Sequence, residues 1–291
     1  MGAADVVPGV SGGTIAFITG IYETLLRSIN SVNLRALKIL RRDGIKAGWN
    51  HINGNFLLPL LLGIALSVVS LAKLIKFLLV AYPELLWSFF FGLILASVWL
   101  IGKQVPKWKV STISLLIIGA GVAYWITVVT PAQGPTALWF VFISGMIAIC
   151  AMILPGISGS FILLLMGMYG TVIGAISDLQ LGIISIFALG ALVGLLSFAR
   201  VLSWMFDHYP GQTLALLTGF MVGSLNKVWP WKHTLTYRAD RHGKQVPLIQ
   251  ENVLPQHYLE MTGNEPYLLG ALVLAVAGAL AVILLERWGS R

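Results

Sequence analysis

Two short stretches hold residue types that could bind an anion. The first reads Asp5-Val6-Val7-Pro8-Gly9-Val10-Ser11-Gly12-Gly13-Thr14, and the second Leu154-Pro155-Gly156-Ile157-Ser158-Gly159-Ser160. Each is a Pro-Gly-x-Ser-Gly break in apolar surroundings. Proline removes a backbone donor and the glycines permit tight turns. The helix that follows such a break starts with N–H groups that lack intrahelical acceptors. Ser11 and Ser158 are placed to cap these helices or to turn their hydroxyls to a ligand. Amides, glycines and hydroxyls at a helix start suit phosphate or carboxylate. The candidate phosphate-binding residues are therefore Ser11, Gly12, Gly13, Thr14, Ser158, Gly159 and Ser160.

Charges inside apolar runs supply a second group. Lys73 and Arg200 each lie well within an apolar segment. Ionisable residues at such depth are costly and are functional candidates by default. Both are read as cations for an anionic head group. Lys76 follows Lys73 by three residues and is read as snorkelling to the interface. Asp5 and Glu23 are the acids nearest the first break, and either could pair with those cations or carry a proton. Glu84 and Asp178 are read as interfacial loop acids. The residues suggest no catalytic set, no metal ligands and no cofactor.

The elements that must position these residues are written twice. The two breaks align without gaps at an offset of 147, which is 155 minus 8. The match continues through Gly20/Gly167, Tyr22/Tyr169, Thr24/Thr171 and Ile29/Ile176, and Met152 stands in the place of Asp5. Further on the offset becomes 127. There Gly63 matches Gly190, Lys73 matches Arg200, Tyr82-Pro83 matches Tyr209-Pro210, Gly92 matches Gly219 and Ser97 matches Ser224. The chain thus divides into repeat 1 (residues 1–130) and repeat 2 (residues 131–291). Each is a helical hairpin followed by three spans. An odd number of crossings per repeat makes the two inverted, an arrangement common in transporters.

Composition fixes the class. Of 291 residues, 57% are hydrophobic and 10% charged, well below the roughly 25% charged of soluble domains. Several apolar runs reach the roughly 18 residues that argue for a membrane helix. The expected fold is an all-α polytopic membrane protein. Its net charge of +8 needs no nucleic acid, because basic cytoplasmic loops facing anionic lipid account for it. The lone Cys150 excludes an intramolecular disulfide.

Taken in order, residues 14–29 read as one apolar helix and 30–55 as a basic loop. Spans follow at about 56–80, 84–102 and 110–130. The second hairpin has arms 137–154 and 160–177, expected to be re-entrant. Spans then run over about 181–206, 212–228 and 267–286. The segment 229–265 is polar and reads either as a small cap or as an irregular loop. Loop 30–55, loop 103–109 and Arg287 fall on one side, the expected cytoplasm. Loops 81–83, 131–136 and 178–180 hold no Lys or Arg and fall outside, together with 229–265.

The run Gly2 to Ala16, followed by Gly20-Ile21-Tyr22-Glu23, resembles the signature of the bacterial polyprenyl-phosphate transporter family, the PopT-type undecaprenyl-phosphate translocases. Leu154 to Ser160 is similar to that family's second copy. The resemblance spans essentially the whole chain. It implies a multi-pass protein of the bacterial cytoplasmic membrane that moves undecaprenyl phosphate from the outer to the inner leaflet. The carrier would then be reused for peptidoglycan and other envelope polymers. Its implied partners are that lipid and the membrane, with no nucleic acid. Family members carry an apolar arm before the first motif, where this chain has four residues before Asp5. The first hairpin is expected to lack most of that arm, or the true start to lie upstream.

Two rivals share features of the pattern. Undecaprenyl-pyrophosphate phosphatases of the BacA type have a similar Pro-Gly-x-Ser-Arg-Ser motif. Here Gly12-Gly13 and Gly159-Ser160 stand in place of Arg-Ser, and no Glu-x-x-x-Glu pair accompanies them. A small-anion transporter would use the same cradle with a closed aqueous path. The expectation is a transporter and not an enzyme.

Overall fold

Proline at a helix start and glycine at a helix crossing account for much of the architecture. In a computed structural model of the chain, residues 1–5, 11–130, 134–135, 137–239 and 245–289 are described. The Pro8-Gly9 pair of the first motif lies outside them, as does the Lys76 side chain.

The first hairpin begins with α1 (Gly2–Asp5), α2 (Gly12–Ile18) and α3 (Tyr22–Ser31). The basic segment forms α4 (Leu34–Arg42) and α5 (Gly44–His51). Three long helices follow: α6 (Gly54–Ala81), α7 (Pro83–Gln104) and α8 (Val110–Val128). The second hairpin is α9 (Leu138–Ile153), α10 (Gly159–Leu165) and α11 (Tyr169–Ser177). Then come α12 (Leu181–His208) and α13 (Pro210–Ser224). Strands β1 (Lys232–Ala239) and β2 (Gln245–Asn252) pair antiparallel, and α14 (Pro255–Thr262) and α15 (Leu268–Gly289) close the chain.

Among the described residues, α6, α7, α8, α12 and α15 are long and apolar enough to cross a membrane, and α10 with α11 forms a further apolar pair bent by 113°. The chain is a polytopic, mostly helical membrane protein. α6 and α12 have 28 residues each, about 42 Å of helix. That exceeds a hydrocarbon core of roughly 30 Å, so both must tilt or protrude. Tyr82 and Tyr209 precede α7 and α13 in nearly the same backbone conformation (φ −144° and −137°), each followed by proline at the first helical position. Proline fits there because its missing N–H has no intrahelical partner to lose.

Three helix pairs dominate the packing: α8 with α13, α7 with α15, and α9 with α12. Each crosses through glycines. A Cβ on Gly119 would strike the Leu216 carbonyl, and one on Gly219 the Leu116 carbonyl. Gly92 lies likewise on Ala275, and Gly190 on Phe142. In lipid, apolar side chains gain little by leaving the solvent, so close backbone approach supplies the association. Gly63, the repeat partner of Gly190, has open space around it. The four-residue α1 touches α6 at Ile64, whereas α9 runs along α12.

Several features depart from the sequence reading or refine it. The helix expected over 14–29 breaks after Ile18, and the arm 160–177 breaks after Leu165. Gly20 (φ 72°) and Gly167 (φ 69°) are left-handed and end α2 and α10 in the same way. Ile21 N–H donates to Ala16 and Gly20 N–H to Phe17, while Met168 N–H donates to Leu163 and Gly167 N–H to Leu164. These are Schellman closures, and glycine meets their positive φ without strain. The span expected to reach 228 ends at Ser224, where the chain turns and Lys227 N–H returns to the Ser224 carbonyl. The loop 30–55 is largely helical. Its first helix is capped by Asn33, which accepts from the Arg35 and Ala36 amides, and Leu34, Leu37, Leu40, Ile45 and Trp49 are exposed beside the basic residues. Such a pair suits a membrane surface. The segment 229–265 carries the β-hairpin and α14. Glu84, read as an interfacial acid, is buried and accepts a hydrogen bond from Tyr258 of α14.

Candidate functional site

The residues after the first break meet the end of α9 and the turn of the second break in the interior, whereas Ser158, Gly159 and Ser160 form no hydrogen bond with them among the described residues. Ser11 Oγ donates to the Met152 carbonyl at 2.8 Å, and Gly156 N–H donates to Thr14 Oγ1 at 2.9 Å. Tyr22 Oη donates to the Ile153 carbonyl at 3.2 Å. Ser11, Thr14 and Ser158 are all buried. A side chain on Gly13 would collide with the Ile153 carbonyl, so only glycine lets the arms approach this closely. Gly156 is left-handed (φ 89°) and packs against Ser224 of α13. Around this contact Phe17, Tyr22 and Phe206 form a ring cluster with centroids 4.9 to 6.5 Å apart.

The two tips differ electrically. At the first, Asp5 Oδ1 accepts Gly12 N–H at 2.7 Å, and Ser11 Oγ caps α2 by accepting Gly13 N–H at 3.0 Å. Thr14 N–H returns to the Ser11 carbonyl. The chain's own carboxylate therefore occupies the amide where the sequence suggested an external anion. At the second tip Met152 stands in Asp5's place and supplies no acceptor side chain. Ser158 and Ser160 hydrogen-bond to each other, Oγ to Oγ, at 2.8 Å. A hydroxyl pair of this kind can reorient towards a ligand oxygen.

The charged candidates sit elsewhere. Lys73 and Arg200 are both exposed, each at the twentieth position of its 28-residue helix. Neither forms a hydrogen bond or ion pair with another described residue. Glu23 lies 3.8 Å from Arg27, which pairs with Asp207 at 2.9 Å on the exposed side of α3 and α12. Glu23 and Asp5 thus belong to separate surroundings. Cys150 is half-buried against the Gly194 carbonyl.

Sequence reasoning missed two cations beside the second tip. Lys227 follows the end of α13, and its Nζ lies 4.5 Å from the centre of the Phe161 ring in the first turn of α10. Lys232 opens β1; its Nζ lies 3.7 Å from the centre of the Trp87 ring and donates to the Lys227 carbonyl at 2.7 Å. The Lys232 stem is partly exposed, but its ammonium is enclosed. Burial lowers the pKa of both, and for Lys232 the charge of Lys227 lowers it further. Neither ammonium pairs with a described acidic residue. An aromatic face returns about 0.5–2 kcal/mol to a cation, whereas removing an ion from water costs several kcal/mol. Two like charges here are undercompensated.

A family model described as VCA0040-like, undecaprenyl phosphate translocase-like, matches residues 1–246. A polyprenyl-phosphate transporter of Vibrio cholerae serotype O1 is 53% identical over 291 residues, covering 100% of this chain and 94% of that protein. A polyprenyl-phosphate transporter of Staphylococcus aureus is 36% identical over 248 residues, covering 79% of this chain and 83% of that one. No solved structure matches the chain. With most of its length matched by the family model and its whole length by a transporter at 53% identity, the chain belongs to the undecaprenyl phosphate translocase-like family.

Proposed function

We propose that this protein moves a polyprenyl phosphate, undecaprenyl phosphate in particular, from the outer to the inner leaflet of the bacterial cytoplasmic membrane. The lipid then re-enters peptidoglycan and envelope polymer synthesis. The carrying observation is the buried meeting of the residues that follow the first break with the second Pro-Gly-x-Ser-Gly tip, joined by Ser11 to Met152 and Thr14 to Gly156. Broken helices meeting inside a helical bundle are tolerated where protein buries them or water fills a cavity, and transporters place substrate there. The names of the two relatives supply the substrate class.

The inverted-repeat reading draws support from the packing. α7 of the first half pairs with α15 of the second, and α8 of the first with α13 of the second. This reciprocal exchange is what a two-fold relation between repeats requires. In this reading both hairpins are re-entrant, the α4–α5 segment and the C-terminus are cytoplasmic, and the β-hairpin is outside. The phosphate binds at Ser158, Gly159 and Ser160, where no internal carboxylate competes. The first tip, with Ser11, Gly12, Gly13 and Thr14 already engaged, acts as the counterpart against which the second moves. Lys73 and Arg200, exposed at matching positions of oppositely directed helices, attract the head group at the lipid-facing surface. Glu23 and Asp5 remain the candidates for proton coupling.

The test is leaflet-to-leaflet movement of undecaprenyl phosphate in proteoliposomes. Movement above protein-free vesicles supports the proposal. Absence of movement with release of phosphate from undecaprenyl pyrophosphate would replace it with an enzyme.

A further inference from the structure

We infer that Lys227 and Lys232 are the cations that hold the substrate's phosphate, which rests on the polyprenyl-phosphate reading above. Lys227 leans on Phe161, two residues after Gly159, and the preceding turn starts at Ser224, against which Gly156 packs. The pair therefore borders the second tip. The Lys232 ammonium is held from two sides, by the Trp87 ring and by the Lys227 carbonyl. Lys227 is half-buried and the Lys232 ammonium is enclosed, the charge of Lys227 lowers the pKa of Lys232, and neither has an acidic partner among the described residues. A partly desolvated cation pair of this kind calls for an anion of matching charge. A phosphate monoester carries up to two negative charges and accepts several charge-assisted hydrogen bonds. Trp87 and Phe161 each cover one face of an ammonium group, and the reduced solvation strengthens the hold on an anion. A small ordinary acid would neutralise only one of the two.

The chemistry is shared by a lipid head group and by free phosphate, so both are tested. Binding of undecaprenyl phosphate, and separately of inorganic phosphate, is measured on the purified full chain in detergent. The variants are Lys227→Gln/Lys232→Gln, Lys227→Arg/Lys232→Arg and Lys73→Gln/Arg200→Gln. The proposal expects the glutamine pair to weaken lipid binding by at least about 30-fold, since each charge-assisted bond is worth roughly tenfold or more. The arginine pair should retain binding within about threefold of wild type, because both charges remain. Without ligand, the glutamine pair should melt no lower than wild type, because it removes two like charges that no described acid compensates. That outcome separates lost binding from lost folding. Lipid binding by wild type that the glutamine pair leaves unchanged would overturn the assignment while leaving the transport reading intact. A lower melting temperature for the unliganded glutamine pair would also overturn it, by making the lysines structural. Binding of inorganic phosphate without the lipid would overturn both readings in favour of a small-anion carrier.

Discussion

Thr14 and Gly156 offer a direct perturbation of the contact between the tips. In Thr14→Val a methyl takes the place of the hydroxyl at nearly constant volume. The Gly156 N–H, 2.9 Å from that oxygen in the wild type, then loses its acceptor. Thr14 is fully buried, and Ser224 and Phe220 crowd Gly156 from the other side. Water has little room to replace the hydroxyl. A buried donor left without a partner costs about 1–3 kcal/mol. Hydrogen bonds within membrane proteins tend to the lower part of this range. The loss converts to about a 5- to 150-fold rise in local opening, at 1.4 kcal/mol per factor of ten. Hydrogen exchange at Gly156 and Ile157 reads it locally, and thermal unfolding in detergent reads it globally. Thr14→Ser, which keeps the hydroxyl, should exchange at close to the wild-type rate at Gly156. Wild-type exchange at Gly156 in Thr14→Val would refute the claim that this bond fastens the tips.

Other expectations follow from the same geometry. Gly219→Ala would push α13 from α8 by about 1 Å, since a carbon–oxygen contact needs roughly 3.3–3.6 Å, and should lower the unfolding temperature of the purified protein; an unchanged temperature would contradict the close crossing. Gly167→Ala places a side chain at φ 69° and should cost about 1–2 kcal/mol, read by the same melt. Asp207→Asn breaks only an exposed pair with Arg27 and should cost less than about 1 kcal/mol. The lysine pair gives a pH dependence. Its folded pKa lies below the free value of 10.5, so the unfolded chain binds more protons between the two. Stability without ligand should therefore rise with pH across that window, while phosphate affinity falls as the ammonium groups lose their protons. Tyr258, pushed up to about 12 by burial and by its bond to Glu84, stays protonated across the window. Lys227→Gln/Lys232→Gln should flatten both trends.

Part of the architecture was legible in the glycines and tyrosine–proline pairs that the sequence writes twice. Gly92, Gly190 and Gly219 matched or served as matches across the halves, and each proves to be a helix crossing. The tyrosine–proline pairs marked two equivalent helix starts. Other features were hidden for physical reasons. Gly20 and Gly167 stood in the matched set, yet an apolar run with one glycine reads as continuous helix until its capping bonds are seen. Lys73 and Arg200 lie on exposed faces. Hydrophobic periodicity cannot assign such faces, because lipid-facing and interior surfaces are equally apolar. Lys227 was hidden inside an expected span that stops at Ser224. Lys232 was hidden in a segment whose strand alternation, His233-Thr234-Leu235-Thr236-Tyr237, is mixed with polar residues.

The measurement closest to the central claim is the distance from the phosphorus of bound undecaprenyl phosphate to labelled backbone nitrogens. Phosphorus–nitrogen recoupling in the solid state can compare Gly159 and Ser160 with Gly12 and Gly13 in lipid bilayers. Coupling is expected at Gly159 and Ser160 and none at Gly12, whose amide already serves Asp5. Coupling at Gly12 with none at Gly159 would place the phosphate at the wrong tip and contradict the claim.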